Sequence, residues 1–310
     1  MIETTDQSTE TVLVMNPRSG SADHASAVHD RADLLGYAVW ETERENHAVE
    51  LAQNAAREGA DEIVAVGGDG TLNEVVRGVE SVGQLDSVTV GVVPAGTGND
   101  FATNIGIMDI DDGFHALETG ERRRLDIGLA DEQPFVNSCL AGITAEASDA
   151  TTPEMKSKFG VFAYVLNTLQ LATEFSGIEL AASVVEGSND EPVWEGEAAF
   201  VLAGNGRRFS LSGSEQADVE DGLLDITIVE DASSISLAEQ RLRERLLETE
   251  GEHFTRILAS SLELHVDESD PTSFSLDGEI VDAHSMTLTA RPQAVEMPVG
   301  DSYEPHPEID

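Results

Sequence analysis

Glu62-Ile-Val-Ala-Val-Gly-Gly-Asp-Gly-Thr-Leu-Asn-Glu74 decides how the rest of the chain is read. After Glu62 the stretch is apolar and rich in β-branched residues, the pattern of a buried strand. Gly67, Gly68 and Gly70 then surround a single acid, Asp69. Thr71 and Glu74 follow at the Thr-x-x-Glu spacing of a helix capping box. The order is therefore strand, glycine turn, helix. Such a turn sets backbone N–H groups and a helix N-terminus at the carboxyl edge of a sheet, where phosphates bind. A Cβ would hold the main chain off a phosphate, and these turns visit positive φ, so glycine is required. Asp69, the one charge in the turn, is placed to hold a phosphate-bound Mg²⁺ or to hydrogen-bond a nucleotide. Taken alone, Gly-Gly-Asp-Gly is also an ordinary strand–helix turn.

Two further turns of this kind flank it. The strand Thr11-Val-Leu-Val-Met15 ends in Asn16-Pro-Arg-Ser-Gly-Ser21, with Ser19 or Ser21 placed to cap a helix over 22–35 and Gly36 to close it. The strand Val88-Thr-Val-Gly-Val-Val93 ends in Pro94-Ala-Gly-Thr-Gly-Asn-Asp100, where Thr97 and Asp100 have cap spacing. A strand over 37–41 and helices over 47–57 and 71–79 complete the alternation. It predicts a mostly parallel sheet with helices on both faces, so that all three turns fall on one edge. After Arg124 strands dominate, at 125–130, 135–140, 178–185, 197–203, 224–229, 262–266, 273–276 and 286–290. Most alternate apolar and polar residues, as half-exposed antiparallel strands do. Helices are expected over 154–174 and 235–247. The reading is an α/β domain over 11–124, a β-rich domain over 125–285, and tails at 1–10 and 299–310.

Composition bounds the function. The 310 residues carry 60 acids against 17 bases, a formal net charge of -43, and 40% of them are hydrophobic. Such a surface does not bind nucleic acid non-specifically. It suits high salt, where self-repulsion is screened. One cysteine, Cys139, excludes an internal disulfide and a cysteine zinc site. The polar, acidic start does not read as a signal peptide, and no apolar run reaches membrane-spanning length. The chain reads as cytoplasmic. There is no Gly-Lys dipeptide for a P-loop, and Asn73 stands where the dinucleotide fingerprint needs glycine.

Asn16-Pro-x-Ser-Gly20, Gly67-Gly-Asp-Gly-Thr-x-Asn-Glu74 and Pro94-x-Gly-Thr-Gly-Asn-Asp-Phe-Ala102 together resemble the diacylglycerol kinase catalytic domain. That family of lipid kinases includes the sphingosine and ceramide kinases and the bacterial diacylglycerol kinase-like enzymes. The resemblance implies an ATP-binding α/β domain, a β-sandwich domain, and a cleft between them where a lipid hydroxyl meets the γ-phosphate of ATP. It implies that the last strands, 286–298, return to the first domain. It also carries Asn16, Ser19, Gly67, Gly68, Asp69, Gly70, Thr71, Gly96, Thr97, Gly98 and Asn99 over as nucleotide-site residues; for Glu74 a ligand role and a capping role stay open.

Leu276-Asp-Gly-Glu279 resembles the family's late motif. On that resemblance Asp277 is the general base for the acceptor hydroxyl, with Glu279 orienting it or helping to hold Mg²⁺. If the backbone is extended, the two face the same way; the alternative is a plain Asp-Gly hairpin turn. Asp218-Val-Glu-Asp-Gly-Leu-Leu-Asp225 resembles a segment that binds a structural Mg²⁺, through Asp218, Asp221 and the Leu223 carbonyl. The segments 204–213 and 137–146 depart from the family pattern, with Glu215 where proline is common.

The implied partner is a lipid at a membrane surface. The segment 154–174 holds both lysines, Lys156 and Lys158, beside Phe159, Phe162 and Tyr164. It fits docking on anionic lipid and equally a packed core helix. Monomer and homodimer are both open. The nearest enzymatic rival is an NAD kinase, whose family resembles this chain in Gly-Gly-Asp-Gly-Thr. A rival of another class is a nucleotide-binding regulatory module without catalysis.

Overall fold

A computed structural model describes residues 11–142, 177–185, 192–210, 213–230, 254–266 and 271–307. The expected tail 1–10 and the helices expected over 154–174 and 235–247 lie outside the described residues. Two compact units make up the chain: Met1–Leu125 with Ala294–Glu304, and Asp126–Gln293 with Pro305–Asp310.

The first unit runs β1 (Thr11–Met15), α1 (Ala25–Leu35), β2 (Ala38–Glu41), α2 (His47–Glu58), β3 (Glu62–Gly67), α3 (Asp69–Ser81), β4 (Thr89–Pro94), α4 (Asp100–Asn104) and α5 (Ile110–Thr119). Its strands pair in parallel in the order β2-β1-β3-β4. Parallel crossovers are right-handed. The step from β1 to β2 goes one way and the step from β2 to β3 goes back, so α1 lies on one face and α2 and α3 on the other. Leu13, Met15, Val64, Val66 and Val93 pack with Val28 and Ala32 of α1 and with Phe114 and Leu117 of α5. The reversal opens a crevice outside the carboxyl ends of β1 and β3, where open α/β sheets take their ligands.

Helix starts differ from expectation. Thr97 does not cap α4: Asn99 holds that position and the helix begins at Asp100. Neither Ser19 nor Ser21 caps α1. The cap position is held by His24, and Ala22 at φ +57 delays the helix start to Ala25. No sequence reading anticipated α5, although its signals are present: Asp109 accepts the Asp112 N–H at 2.9 Å, and Ile110, Phe114 and Leu117 fall on one face.

At the amino edge of this sheet Glu62 is buried, 3% exposed. It accepts the Thr11 hydroxyl at 3.1 Å and pairs with the Arg122 guanidinium at 3.0 Å. Burial outweighs both partners and raises its carboxyl above the usual range. Burial likewise raises Asp126, which is 1% exposed. A raised carboxyl binds its proton more tightly in the folded state, so stability grows as pH falls toward the ordinary carboxylate value and shrinks as pH rises through the raised one. The apparent melting temperature is therefore expected to rise as pH is lowered from neutral toward the ordinary carboxylate range. Glu62→Gln should flatten that slope; an unchanged slope would show that burial of Glu62 does not matter here. The same melts in dilute buffer and in concentrated salt test the fit to high salt, which full stability in dilute buffer would contradict.

Among the described residues the second unit is built from strands. They are β5 (Glu121–Ala130), which begins in the first unit, then β6 (Gln133–Phe135), β7 (Ser138–Ala141), β8 (Ile178–Val184), β9 (Trp194–Ala198), β10 (Phe200–Gly204), β11 (Arg207–Ser210), β12 (Gly213–Gln216), β13 (Leu224–Val229), β14 (Phe254–Ala259), β15 (Ser261–Val266), β16 (Thr272–Leu276), β17 (Glu279–Ala283) and the first part of β18 (Ser285–Val299). One antiparallel sheet has the order β14-β13-β10-β7-β16-β17. In the other, β18, β15, β8 and β9 pair antiparallel in sequence. Alternate residues of both enter one core, among them Val201, Ala203, Ile226, Ile228, Phe274 and Leu276 from the first and Leu180, Leu262, Leu264 and Leu288 from the second. This is a sandwich.

Three strand expectations change for local reasons. The strand expected over 135–140 breaks into β6 and β7, because amides at the break leave the ladder for the Asp277 carboxylate. The strand expected over 197–203 breaks at Ala199, where the chain passes from pairing with β8 to pairing with β13. The return segment expected over 286–298 is one strand, β18. Its residues join the first unit only from Ala294, just past Gln293, whose φ is +50. The expected tail from 299 is also docked in part: the Gly300 N–H bonds the Ile105 carbonyl at 2.8 Å, and the Ser302 hydroxyl bonds that of Gly106 at 3.2 Å. No helix among the described residues is long and apolar enough to cross a membrane.

Candidate active site

The three glycine turns of the first unit are locked to one another. The Ala95 N–H donates to the Gly67 carbonyl at 2.8 Å, and the Asp69 N–H to the Gly98 carbonyl at 3.2 Å. A Cβ on Gly20, itself at φ +57, would stand 2.5 Å from the Ala95 carbonyl oxygen. One on Gly68 would stand 2.7 Å from the Gly98 oxygen, and one on Gly96 only 2.4 Å from Gly68 Cα. These glycines are needed because main chain meets main chain. Gly70 differs: in the first turn of α3, a Cβ there would meet nothing within 4 Å. Packing does not explain a glycine at that position, whereas close approach of a ligand to the helix N-terminus does.

The polar residues of the turns mostly hold the turns. The Asn16 side chain accepts the Arg18 N–H at 3.0 Å, and the Ser19 hydroxyl donates to the Asn16 carbonyl at 2.9 Å. Asn99 makes a two-bond ring with the Gly96 main chain, 3.0 Å each way. Asp69 accepts the N–H groups of Asp100 and Phe101 at 2.9 and 3.0 Å, so it fastens the start of α4. Thr97 is exposed in the third turn, and a Cβ added at Gly98 would meet only the Asp69 carboxylate, at 3.6 Å.

The capping box expected from Thr71 and Glu74 does not form. α3 already begins at Asp69, which puts Thr71 inside the first turn, its side chain against Gly67. Glu74 accepts the Ala48 N–H at 3.1 Å, at the start of α2.

A cavity of about 240 Å³ opens beside the first turn and the start of α3. Asn16, Thr71 and Glu74 line it, and so do residues that sequence reading missed: Arg18, Ala48 and the loop Thr42–Glu45. The available signal was position, since that loop directly follows β2 at the carboxyl edge of a parallel sheet. Arg18 reaches across to the Glu43 carbonyl at 3.0 Å, and Arg44 pairs with both oxygens of Glu50 at 2.6 Å.

In the second unit Asp277 and Gly278, at φ +49 and +100, form the two-residue turn between β16 and β17. This is the Asp-Gly hairpin geometry, and it removes the expectation that Asp277 and Glu279 share a face of an extended chain. The Asp277 carboxylate accepts three consecutive amides, from Val136 at 2.7 Å, Asn137 at 3.1 Å and Ser138 at 2.8 Å. Its own N–H donates to the Ser138 carbonyl at 3.0 Å. Glu279 opens β17 opposite Leu276 and is half-buried.

Asp218 accepts the Glu220 N–H at 2.9 Å and meets His306 Nδ1 at 2.6 Å; Asp221 accepts the Leu223 N–H at 2.8 Å. Buried Asp126 accepts the N–H groups of Gly222 and Gln293, both at 2.7 Å. Burial and then the charges of Asp218 and Asp126 push the Asp221 carboxyl up. Among the described residues no three His, Cys, Asp or Glu side chains gather as a metal cage.

Comparison with known proteins agrees with this architecture. The profile of the diacylglycerol kinase catalytic domain matches residues 10–130, and that of the YegS C-terminal NAD kinase beta sandwich-like domain matches residues 137–299. A diacylglycerol kinase of Staphylococcus haemolyticus is 28% identical over 280 residues, 86% of this chain and 81% of its own. The Pectobacterium atrosepticum protein named "Probable lipid kinase YegS-like" is 28% identical over 296 residues, 92% of this chain and 94% of its own. A crystal structure of a candidate diacylglycerol kinase from Bacillus anthracis superposes with a TM-score of 0.78 at 23% identity, covering 96% of this chain and 98% of that one, a likeness of fold. With both profiles laid end to end over its two units, the chain belongs to the diacylglycerol kinase catalytic domain family.

Proposed function

We propose that this protein is a lipid kinase that transfers the γ-phosphoryl group of ATP to a free hydroxyl of a diacylglycerol-like lipid. The observation that carries the reading is the locked set of three glycine turns with the open Gly70 at the N-terminus of α3, beside the cavity of about 240 Å³. Backbone amides and a helix dipole aimed at one place stabilise the charge of a phosphoryl group in flight, and they are already fixed before it arrives. Asp69 serves by holding the second and third turns in one arrangement. Asp277 takes the proton of the acceptor hydroxyl on a lone pair of its carboxylate left over from the three amides. The hydroxyl oxygen bonds phosphorus as the bond to the bridging oxygen of ADP breaks. The amides keep the base fixed, so little is lost in orienting it. Glu279 sits one residue beyond the turn as its neighbour.

Mg²⁺ would supply charge neutralisation of the phosphates. A structural Mg²⁺ would be held by Asp218, Asp221 and the Leu223 carbonyl, a set of hard oxygen donors suited to it. Burial first, and then the charges of Asp218 and Asp126, raise Asp221, and a cation there would offset both. The reading places the enzyme in the cytoplasm, meeting its lipid at a membrane surface, with an acidic exterior suited to salt.

The test is radiolabelled ATP with Mg²⁺ and a panel of neutral lipids in mixed micelles, with NAD alongside. Label in a lipid is the expected result. Label in NADP would establish the NAD kinase alternative, and ATP binding without transfer the regulatory one. EDTA should abolish labelling.

A further inference from the structure

We infer that Glu74 is a positioning residue, and that it shapes the nucleotide cavity by holding the start of α2 rather than by touching the nucleotide or its metal. The inference rests on the kinase reading for its effect on ATP, but the contact itself belongs to the first unit alone.

A helix begins with four main-chain N–H groups that have no partner within the helix. Most helices meet this need with a Ser, Thr, Asp or Asn side chain at the cap position. The cap residue of α2, Asn46, has a left-handed backbone at φ +57 and its side chain makes no capping bond. The Ala48 N–H is taken instead by Glu74, from the second turn of α3 and 26 residues away, at 3.1 Å. The negative charge also lies at the positive end of the α2 dipole.

This cap matters because of what precedes it. Residues Thr42–Glu45 form one wall of the cavity, and Ala48 and Glu74 line it as well. The wall is pinned at its start by the Thr42 N–H on the Met15 carbonyl at 2.8 Å. It is pinned in the middle by Arg18 on the Glu43 carbonyl at 3.0 Å. The third pin is Glu74. The two helices also touch closely: a Cβ on Gly78 would come within 2.5 Å of the Val49 carbonyl oxygen and 2.7 Å of Ala52 Cβ. Thus α3, which begins at the glycine turn, sets the position of α2 and of the loop before it. The Glu74 carboxylate ties the start of α2, and with it the wall of the cavity, to α3.

The test compares Glu74→Ala and Glu74→Gln with wild type. Gln keeps an acceptor oxygen at the same reach and loses the charge; Ala loses both. Hydrogen exchange of the amides at 47–50 reports the tether without any substrate. In Glu74→Ala they should exchange at least about tenfold faster, a change in opening free energy of roughly one factor-of-ten step. In Glu74→Gln protection should largely return. With ATP, Glu74→Ala should raise KM for ATP about tenfold with a smaller change in kcat, and Gln should restore most of it. Unchanged exchange in Glu74→Ala overturns the inference. So does a collapse of kcat in Glu74→Gln together with a shifted Mg²⁺ requirement, which would make Glu74 a ligand of the reacting groups. If the wild type binds no ATP, the kinase reading fails, while the exchange result still decides the tether.

Discussion

Replacing Asp277 by asparagine is expected to cut turnover by about 10²–10⁴-fold, the contribution of a positioned base, with ATP affinity unchanged. The carboxylate is held by the amides of Val136, Asn137 and Ser138. An asparagine offers one acceptor oxygen to three N–H groups and turns its own N–H₂ toward them. Loss of a hydrogen bond to a buried or charged group costs about 1–3 kcal/mol, so the second unit should melt earlier as well. Turnover is therefore read well below the melting temperature, with circular dichroism confirming the fold. ATP affinity, read by titration with a fluorescent analogue, should stay at the wild-type value, because the residues proposed to seat the nucleotide belong to the first unit. If Asp277 only anchors the hairpin, turnover under these conditions stays near wild type. That result would remove it from the chemistry.

Gly96→Ala is expected to weaken ATP binding by at least about tenfold, or 1.4 kcal/mol. The new Cβ would lie 2.4 Å from Gly68 Cα and 2.7 Å from Gly68 N. Both are main-chain atoms, so no side-chain rotation relieves the contact. The second and third turns must part, which strains the Ala95–Gly67 and Asp69–Gly98 bonds and the hold of Asp69 on α4. Overpacking of this kind costs about 1–3 kcal/mol, visible as a lower melting temperature. Gly70→Ala is the matched control. Its Cβ meets nothing within 4 Å, so stability should hold while ATP binding falls. Wild-type ATP affinity in Gly96→Ala would mean that the joined turns are not the nucleotide seat.

Much of the first unit was legible because each element carries local signals. The β-branched runs at Thr11–Met15 and Glu62–Gly67, each ended by a glycine turn, become parallel strands β1 and β3. The turns carry the family motifs, and the family is the one those motifs resemble. What failed were assignments that depend on a distant partner. Thr71 and Glu74 have the spacing of a capping box, yet Glu74 serves α2. Ser19 and Ser21 have the chemistry of caps, yet His24 holds that position. Asp277 and Glu279 look like neighbours on a strand, yet a left-handed turn separates them. The cavity wall at Thr42–Glu45 carried no motif, since its role comes from lying beside Asn16 and Thr71 in space.

The sequence by itself determined the alternation of strand, turn and helix, the strand-rich second half, and the glycines that let main chains meet, because these follow from φ/ψ limits and hydrophobic period along a few adjacent residues. Only the tertiary structure decided which donor each carboxylate serves: Asp69 the start of α4, Glu74 the start of α2, and Asp277 the amides of 136–138. A carboxylate accepts any N–H within reach, and reach across 26, 31 or 141 residues is set by how sheets and helices pack, not by spacing in the chain.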